Sequence, residues 1–245
     1  GYLETFRCES VLKAYQGGIN HLSYDFLCTQ DGENYHWMRI NAQIFFWHSD
    51  QSVRMIVYRK NIDSEKRREE GLLEEVQKDP MTGLYNKRAT ETLITESLFK
   101  ASSGETKHAF LIFDIDLFKN INDHFGHAFG DSVISKFAAE LKAQFRNDDI
   151  VGRIGGDEFV VLLKNYDRIE NVRDKLDRLC AKIARKDFGQ KQRFHLSASI
   201  GVSFFPEQGT SYTELYEKAD QALYYSKSHG RARFTVFGEE TSVVD

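Results

Sequence analysis

Four carboxylates stand where carboxylates can share a divalent cation. Asp114 and Asp116 close the apolar run 109–113, and Asp157 and Glu158 directly follow a glycine pair, Gly155 and Gly156. A buried strand delivers whatever ends it to the edge of its sheet, so acidic groups from two different strands can converge there. Carboxylates so placed hold magnesium through hard oxygens shared with substrate phosphates. The metal then activates an attacking hydroxyl and stabilises a pyrophosphate leaving group, which is phosphoryl-transfer chemistry. The glycines, lacking a Cβ, let backbone approach a ligand. Each element alone has a plainer reading, since strand-end aspartates are often only solvated and a glycine pair is often only a hairpin. Together they are rarer: average composition makes the string Gly155, Gly156, Asp157, Glu158, Phe159 arise by chance in about one chain per several thousand.

The elements that must position these groups are legible in the periodicity. Residues 86–100 predict a helix, 109–115 a buried strand, and 131–145 a helix with Val133, Ile134, Phe137, Ala138 and Leu141 on one face. Residues 150–154 and 158–163 are apolar runs joined through the glycines, a pair suited to the positive φ angles of a two-residue turn. A helix over 168–185, a strand over 194–204, a helix over 212–228 and a strand over 233–237 complete a β-α-β-β-α-β core with added helices. The expected class is α/β (α+β), with a central, mainly antiparallel sheet flanked by helices.

Ahead of this core, residues 23–27, 35–46 and 52–58 are rich in aromatic and β-branched side chains, and turn-forming stretches at 30–34 and 48–51 separate them. They predict an antiparallel sheet. Residues 63–78 are highly charged and read as an exposed linker helix. Ile62, Leu72 and Val76 have the spacing of a short parallel coiled coil, interrupted by Glu65 and Glu69; a solvated charged helix is the alternative.

Composition narrows the partners. The 245 residues carry a net charge of −4, which offers no broad basic field to nucleic acid, so a polyanionic ligand has to be met by local cations or a metal. Cys8, Cys28 and Cys180 form neither a disulfide framework nor a zinc pattern, and a reducing cytoplasm is the simplest compartment. The apolar runs are strand-sized, far below the roughly 18 residues of a membrane span. No membrane contact is expected from this segment and no signal peptide is visible, although a longer parent chain could be anchored.

Residues 155–159 carry the signature of the GGDEF family, the diguanylate cyclases, within its usual frame beginning at Arg153 and Ile154. The likeness extends further. Residues 79–86 resemble the family's opening motif, with Met81 where leucine is common. Residues 114–123, followed by Gly126, His127, Gly130 and Asp131, resemble its nucleotide half. The resemblance covers residues 79 to about 237.

The resemblance implies condensation of two GTP molecules into cyclic di-GMP with release of two pyrophosphates, by a homodimer that depends on magnesium, with manganese as an alternative. It assigns Asp114, Asp157 and Glu158 to catalysis. The metal ligands would be Asp114, Asp157 and the Ile115 carbonyl, with Glu158 supporting the hairpin end of the site. Asn122 and Asp131 would read guanine, their amide and carboxylate matching its donor and acceptor edge. Helix caps are the alternative for these two. Lys119, Lys227 and Arg231 would meet the triphosphate together with backbone amides near Leu117 and Phe118 and the close-approach glycines Gly155 and Gly156. Leu117 stands where the family frequently has an aromatic residue. Lys227 and Arg231, four apart, would share a helical face, or else form a solvated helix terminus. Arg146 and Asp149 match the spacing of the family's inhibitory product site, with Arg173 or Arg178 as candidates for its second half; an exposed turn is the alternative. A catalytically silent domain that binds GTP or cyclic di-GMP as a regulatory module is the alternative function. The first 60 residues resemble the C-terminal half of a PAS sensory domain, giving an expected order of a partial PAS-like domain at 1–60, a linker at 61–78 and the GGDEF domain at 79–240.

Overall fold

The computed structural model describes residues 6–29, 33–102, 106–189 and 193–239, with backbone alone over 69–75. The chain divides into two compact units, Gly1–Val76 and Gln77–Asp245, so the division falls inside the charged helix expected as a linker.

In the first unit, helix α1 (Cys8–Gln16) precedes an antiparallel meander of β1 (His21–Thr29), β2 (Tyr35–Trp47) and β3 (Ser52–Asn61). All three expected strands are present, each somewhat longer than its apolar run; turn residues 30–32 lie outside the described set. Ile40, Ala42 and Ile44 on β2 are buried, whereas β3 is exposed along most of its length. Across the β1/β2 pair, the Arg39 guanidinium donates to both oxygens of Asp25 at 2.6 and 2.8 Å. This contact outweighs the upward push of burial and holds the Asp25 carboxyl down at about 2. Helix α2 (Asp63–Gln77) follows, and Asp63 fastens its start by accepting from the Trp37 main-chain N–H at 2.6 Å. The Leu72 side chain of the expected coiled-coil stripe lies outside the described residues.

The second unit contains α3 (Lys87–Ala101), β4 (His108–Ile115), α4 (Phe118–Phe125), α5 (His127–Gln144), β5 (Ile150–Arg153), β6 (Glu158–Lys164), α6 (Ile169–Arg185), β7 (Ala198–Phe205), α7 (Tyr212–Ser228) and β8 (Phe234–Val236). Its sheet has the order β5-β6-β4-β7-β8, antiparallel throughout except for the parallel β7/β8 pair. Every residue of β4 and β7 is buried, as expected of largely apolar strands covered on both faces, and the polar exceptions His108, Asp114, Ser199 and Ser203 are buried with them. Alternation along β4 divides the core. Leu111 and Phe113 pack with Val133, Phe137 and Leu141 of α5 and Leu176 and Ile183 of α6. Phe110 and Ile112 face Ile94 and Leu98 of α3 and Leu215, Ala219 and Leu223 of α7. Burying each of these large side chains stabilises by roughly 1.5–3 kcal/mol.

Three local devices set the geometry of the sheet edge. A capping box between Ser211 and Glu214 starts α7, whose far end carries Lys227. At Gly201 a Cβ would fall 1.9 Å from the Ala219 carbonyl, so only glycine lets α7 lie this close on β7. Asn86 caps α3 by accepting from the Ala89 N–H at 3.0 Å. Two expectations need correction. The glycine hairpin is not a positive-φ two-residue turn: neither Gly155 nor Gly156 has positive φ, and residues 154–158 lie between Arg153 and its register partner Phe159. Helix α4 was not foreseen, being two turns long and so too short for a periodic signal.

Candidate active site

The carboxylates meet at one end of the sheet. Asp114 pairs in register with Glu158 across β4 and β6, and the Ile115 N–H donates to the Asp157 carbonyl at 3.3 Å, so the ladder itself draws the hairpin tip against the end of β4. Asp114 is buried at 8% exposure, and its Oδ2 accepts from Lys227 Nζ at 2.6 Å. Burial pushes its carboxyl up to about 6; Lys227 pulls it back, while the charges of Asp157 and Glu158 push further upward. This surplus of negative charge is what a divalent cation offsets.

Among the described residues, no three side chains of the metal-binding types are gathered closely enough to hold an ion by themselves. The expected donor set asks for less, namely two carboxylates and a main-chain carbonyl, completed by substrate phosphates. The hard-oxygen donors, their excess charge and Lys227 already seated as a counter-cation fit that requirement.

The signature hairpin is fastened from behind. The Arg153 guanidinium donates to the carbonyls of Gly155 and Gly156 at 2.9–3.2 Å, and to Asp79 Oδ1 and Oδ2 at 3.1 and 3.2 Å. Asp79 also accepts from the Thr82 N–H and hydroxyl. Burial opposes the charge on Asp79, yet Thr82 and Arg153 hold its carboxyl below the ordinary value. The opening motif thus grips the glycine loop across 74 positions of sequence.

A second pocket wall lies between α4 and α5. Asn122 Oδ1 is buried and has no hydrogen-bond partner. It points at Gly130, where a Cβ would fall 1.9 Å from that oxygen and 3.2 Å from the Phe118 ring. A buried acceptor without a donor costs about 1–3 kcal/mol, and an incoming N–H relieves it. Asp131 is exposed one residue further on. Neither Asn122 nor Asp131 is a helix cap; Gly126 stands at the start of α5. At the start of α4, Leu117 takes a left-handed conformation with φ 57° and makes no side-chain cap, so no N-cap side chain accepts from the first amides of the helix.

Residues 76–233 match the protein family described as diguanylate cyclase, GGDEF domain. The chain belongs to this family. Diguanylate cyclase A of Treponema denticola is 39% identical over 174 residues, which are 67% of this chain and 45% of that protein, so the chain spans less than half the length of that relative. The GGDEF domain of TpbB (YfiN) from Pseudomonas aeruginosa superposes with a TM-score of 0.63 at 30% identity, covering 68% of this chain and 98% of that one. The GGDEF domain of DgcB from Caulobacter crescentus, solved in complex with c-di-GMP, gives 0.61 at 27% identity, covering 65% of this chain and 95% of that one. Condensation of GTP is the general activity of the family, and its diguanylate cyclases generally depend on divalent metal.

Within the GGDEF domain the expected residues fall into three groups. Asp114, Ile115, Asp157, Glu158, Gly155 and Gly156 come together at the hairpin, joined by Lys227, which is therefore no solvated terminus. Asn122, Leu117 and Phe118 line or adjoin the α4/α5 wall, with Lys119 exposed on α4. Arg231 does not share a helical face with Lys227: α7 ends at Ser228, and Arg231 lies beyond it with φ 60°. Arg146 and Asp149 form a turn apart from both groups. Asp149 is buried, and its two oxygens accept from the Arg146 and Lys164 main-chain N–H groups at 2.8 and 2.9 Å, so this is not a plain exposed turn. Beside it is a cavity of about 200 Å³ lined by Arg146, Asp149, Asn171 and Lys175 among others. Neither Arg173, paired with Glu239, nor Arg178 lines that cavity. Sequence reasoning missed the Asp79–Arg153 pair; both residues stood in recognised motifs, but nothing local links them.

Proposed function

We propose that this chain is a diguanylate cyclase that condenses two GTP molecules into cyclic di-GMP and two pyrophosphates. The observation that carries the reading is the buried Asp114 carboxylate beside the half-buried Asp157 and Glu158, with Lys227 as its counter-cation, because a binding module has no need to keep a buried carboxylate next to two like charges. Each protomer of a homodimer holds one GTP. A magnesium ion, or manganese, bound by Asp114, Asp157 and the Ile115 carbonyl would supply Lewis acidity at the triphosphate. Asn122 accepts from the guanine edge, Asp131 does the same from α5, and Lys119, Lys227 and Arg231 receive the phosphates along with the amides at Leu117 and Phe118. Each 3′-hydroxyl gives up its proton to solvent as its oxygen bonds to the α-phosphorus of the opposite nucleotide, the bond from that phosphorus to the bridging oxygen breaks, and pyrophosphate leaves. One protomer is therefore half of an active site.

Arg146 and Asp149 are the proposed product-inhibition site, and the N-terminal sheet with α2 is the proposed PAS-like sensory input and linker. Such an input works by changing the population of the productive dimer. The test is incubation of the full chain with GTP and magnesium, followed by mass analysis of the products. Cyclic di-GMP is expected, and Asp157→Ala should abolish it; a demonstrably dimeric chain that binds GTP yet forms no product is instead the regulatory module.

A further inference from the structure

We infer that Asp116 is a positioning residue that aims Arg231 at the phosphates of the nucleotide, an assignment that rests on the GTP reading above. Asp116 lies two residues beyond Asp114 and is 7% exposed. Its Oδ1 accepts from Ser199 Oγ at 2.6 Å, and its Oδ2 accepts from Ser197 Oγ at 2.5 Å and from the Ala232 main-chain N–H at 3.0 Å. Three donors thus satisfy this buried carboxylate within the protein, unlike Asp114, whose hydrogen-bonding partner is Lys227.

The bond to Ala232 indicates what the arrangement is for. Gly230, Arg231 and Ala232 have φ values of 105°, 60° and 51°. Glycine adopts such angles freely, but two successive residues with a Cβ in the left-handed region are disfavoured and persist only where the surroundings over-determine them. Three bonds do so here. The Arg231 N–H donates to the Ser226 carbonyl at 3.0 Å, the Ile200 N–H donates to the Arg233 carbonyl at 2.9 Å, and the Ala232 N–H donates to Asp116. The first ties the turn to α7 and the second to β7. The Asp116 bond ties it to the segment leaving β4, beside the carboxylate that faces the phosphates. It registers the strained turn, and with it the exposed Arg231 side chain, against Asp114. Holding the sheet together would be met by the two serines without reaching the turn.

Asp116→Asn keeps the shape but removes the charge: the NH2 has to face a serine hydroxyl that turns to accept, and the charge-assisted bond to the Ala232 N–H becomes a weaker neutral one. Titration calorimetry of the full chain with magnesium and either GTP or GMP reads the consequence. GTP binding is expected to weaken about tenfold, the scale of one charge-assisted phosphate contact, with GMP binding unchanged and KM rising more than kcat falls. Arg231→Ala should weaken GTP binding similarly, and the double variant should bind no more weakly than Arg231→Ala alone, because the aspartate acts through the arginine. Should Asp116→Asn fail to fold, Ser197→Ala with Ser199→Ala keeps the carboxylate but loosens it, and should weaken GTP binding in the same direction by roughly threefold. Unchanged GTP binding, equal losses for GTP and GMP, or additive losses in the double variant would each overturn the assignment. An unaltered chain that binds neither nucleotide would overturn the GTP reading itself.

Discussion

Asp114 and Asp149 are buried to a similar degree, 8% and 4% exposed, but the two regions treat the carboxylate in opposite ways. Asp149 gives both oxygens to main-chain N–H groups and closes a turn between α5 and β5. Asp114 has one lysine and two acidic neighbours, and its carboxyl is pushed up to about 6, with burial the largest cause. The first region is built to be satisfied by its own chain. The second becomes satisfied only when something positive arrives. An acidic corner left in this state reduces stability, and such a cost persists at sites that bind or react.

The comparison is sharpened most by Asp114→Asn. Removing the charge should lower cyclic di-GMP formation by about a thousandfold or more, as expected when a several-kcal/mol electrostatic contribution to the transition state is lost. The same variant should be more stable than the parent without metal. A carboxyl raised from 3.8 to about 6 carries about 3 kcal/mol of unfavourable free energy in its ionised form at neutral pH, and the amide avoids most of it. The pH dependence has a definite sign. Between about pH 4 and 6 the folded chain retains a proton that the unfolded chain has released, so this group's contribution to stability falls as pH rises through that window. Denaturant melts at several pH values should show this slope in the metal-free parent and its loss in Asp114→Asn. A variant less stable than the parent at pH 7 would break the comparison.

Asp149→Ala should move stability the other way. It orphans two main-chain donors, a loss of about 2–6 kcal/mol at roughly 1–3 kcal/mol for each unsatisfied group. In a domain of this size that is a fall in Tm of about 5–20 °C. Paired thermal melts of the two variants are the direct measurement, with opposite signs expected from the same residue type at similar burial.

The contrast also marks how far the sequence could be read. The strands of the central sheet were legible because 109–113 and 159–163 are unbroken apolar runs, and α5 because Val133, Phe137 and Leu141 recur at helical spacing. The signature hairpin was legible as a motif, though its φ angles were not, since the Arg153 guanidinium rather than glycine geometry holds its carbonyls. Contacts across long sequence separation were invisible: Lys227 reaches Asp114 over 113 positions, and Ala232 reaches Asp116 over 116. Spacing alone placed Arg231 on α7, yet a left-handed turn carries it away. Such a turn depends on tertiary hydrogen bonds and leaves no periodic trace.

The smallest effect on the fold should come from Arg146→Ala. The Arg146 side chain is exposed, and the Asp149 carboxylate bonds to the Arg146 main chain, which alanine retains. The turn should therefore stand, with stability within about 0.5 kcal/mol of the parent. What the variant removes is a planar cation at the mouth of the cavity that Asn171 and Lys175 also line. A guanidinium there can grip phosphate or the guanine acceptor edge, and its loss should raise the cyclic di-GMP concentration for half-inhibition by about tenfold, while the rate before product accumulates changes far less. Progress curves with added product separate the two quantities. Unaltered inhibition would remove Arg146 from the regulatory site and leave Asp149 as a purely structural carboxylate, the extreme opposite of Asp114.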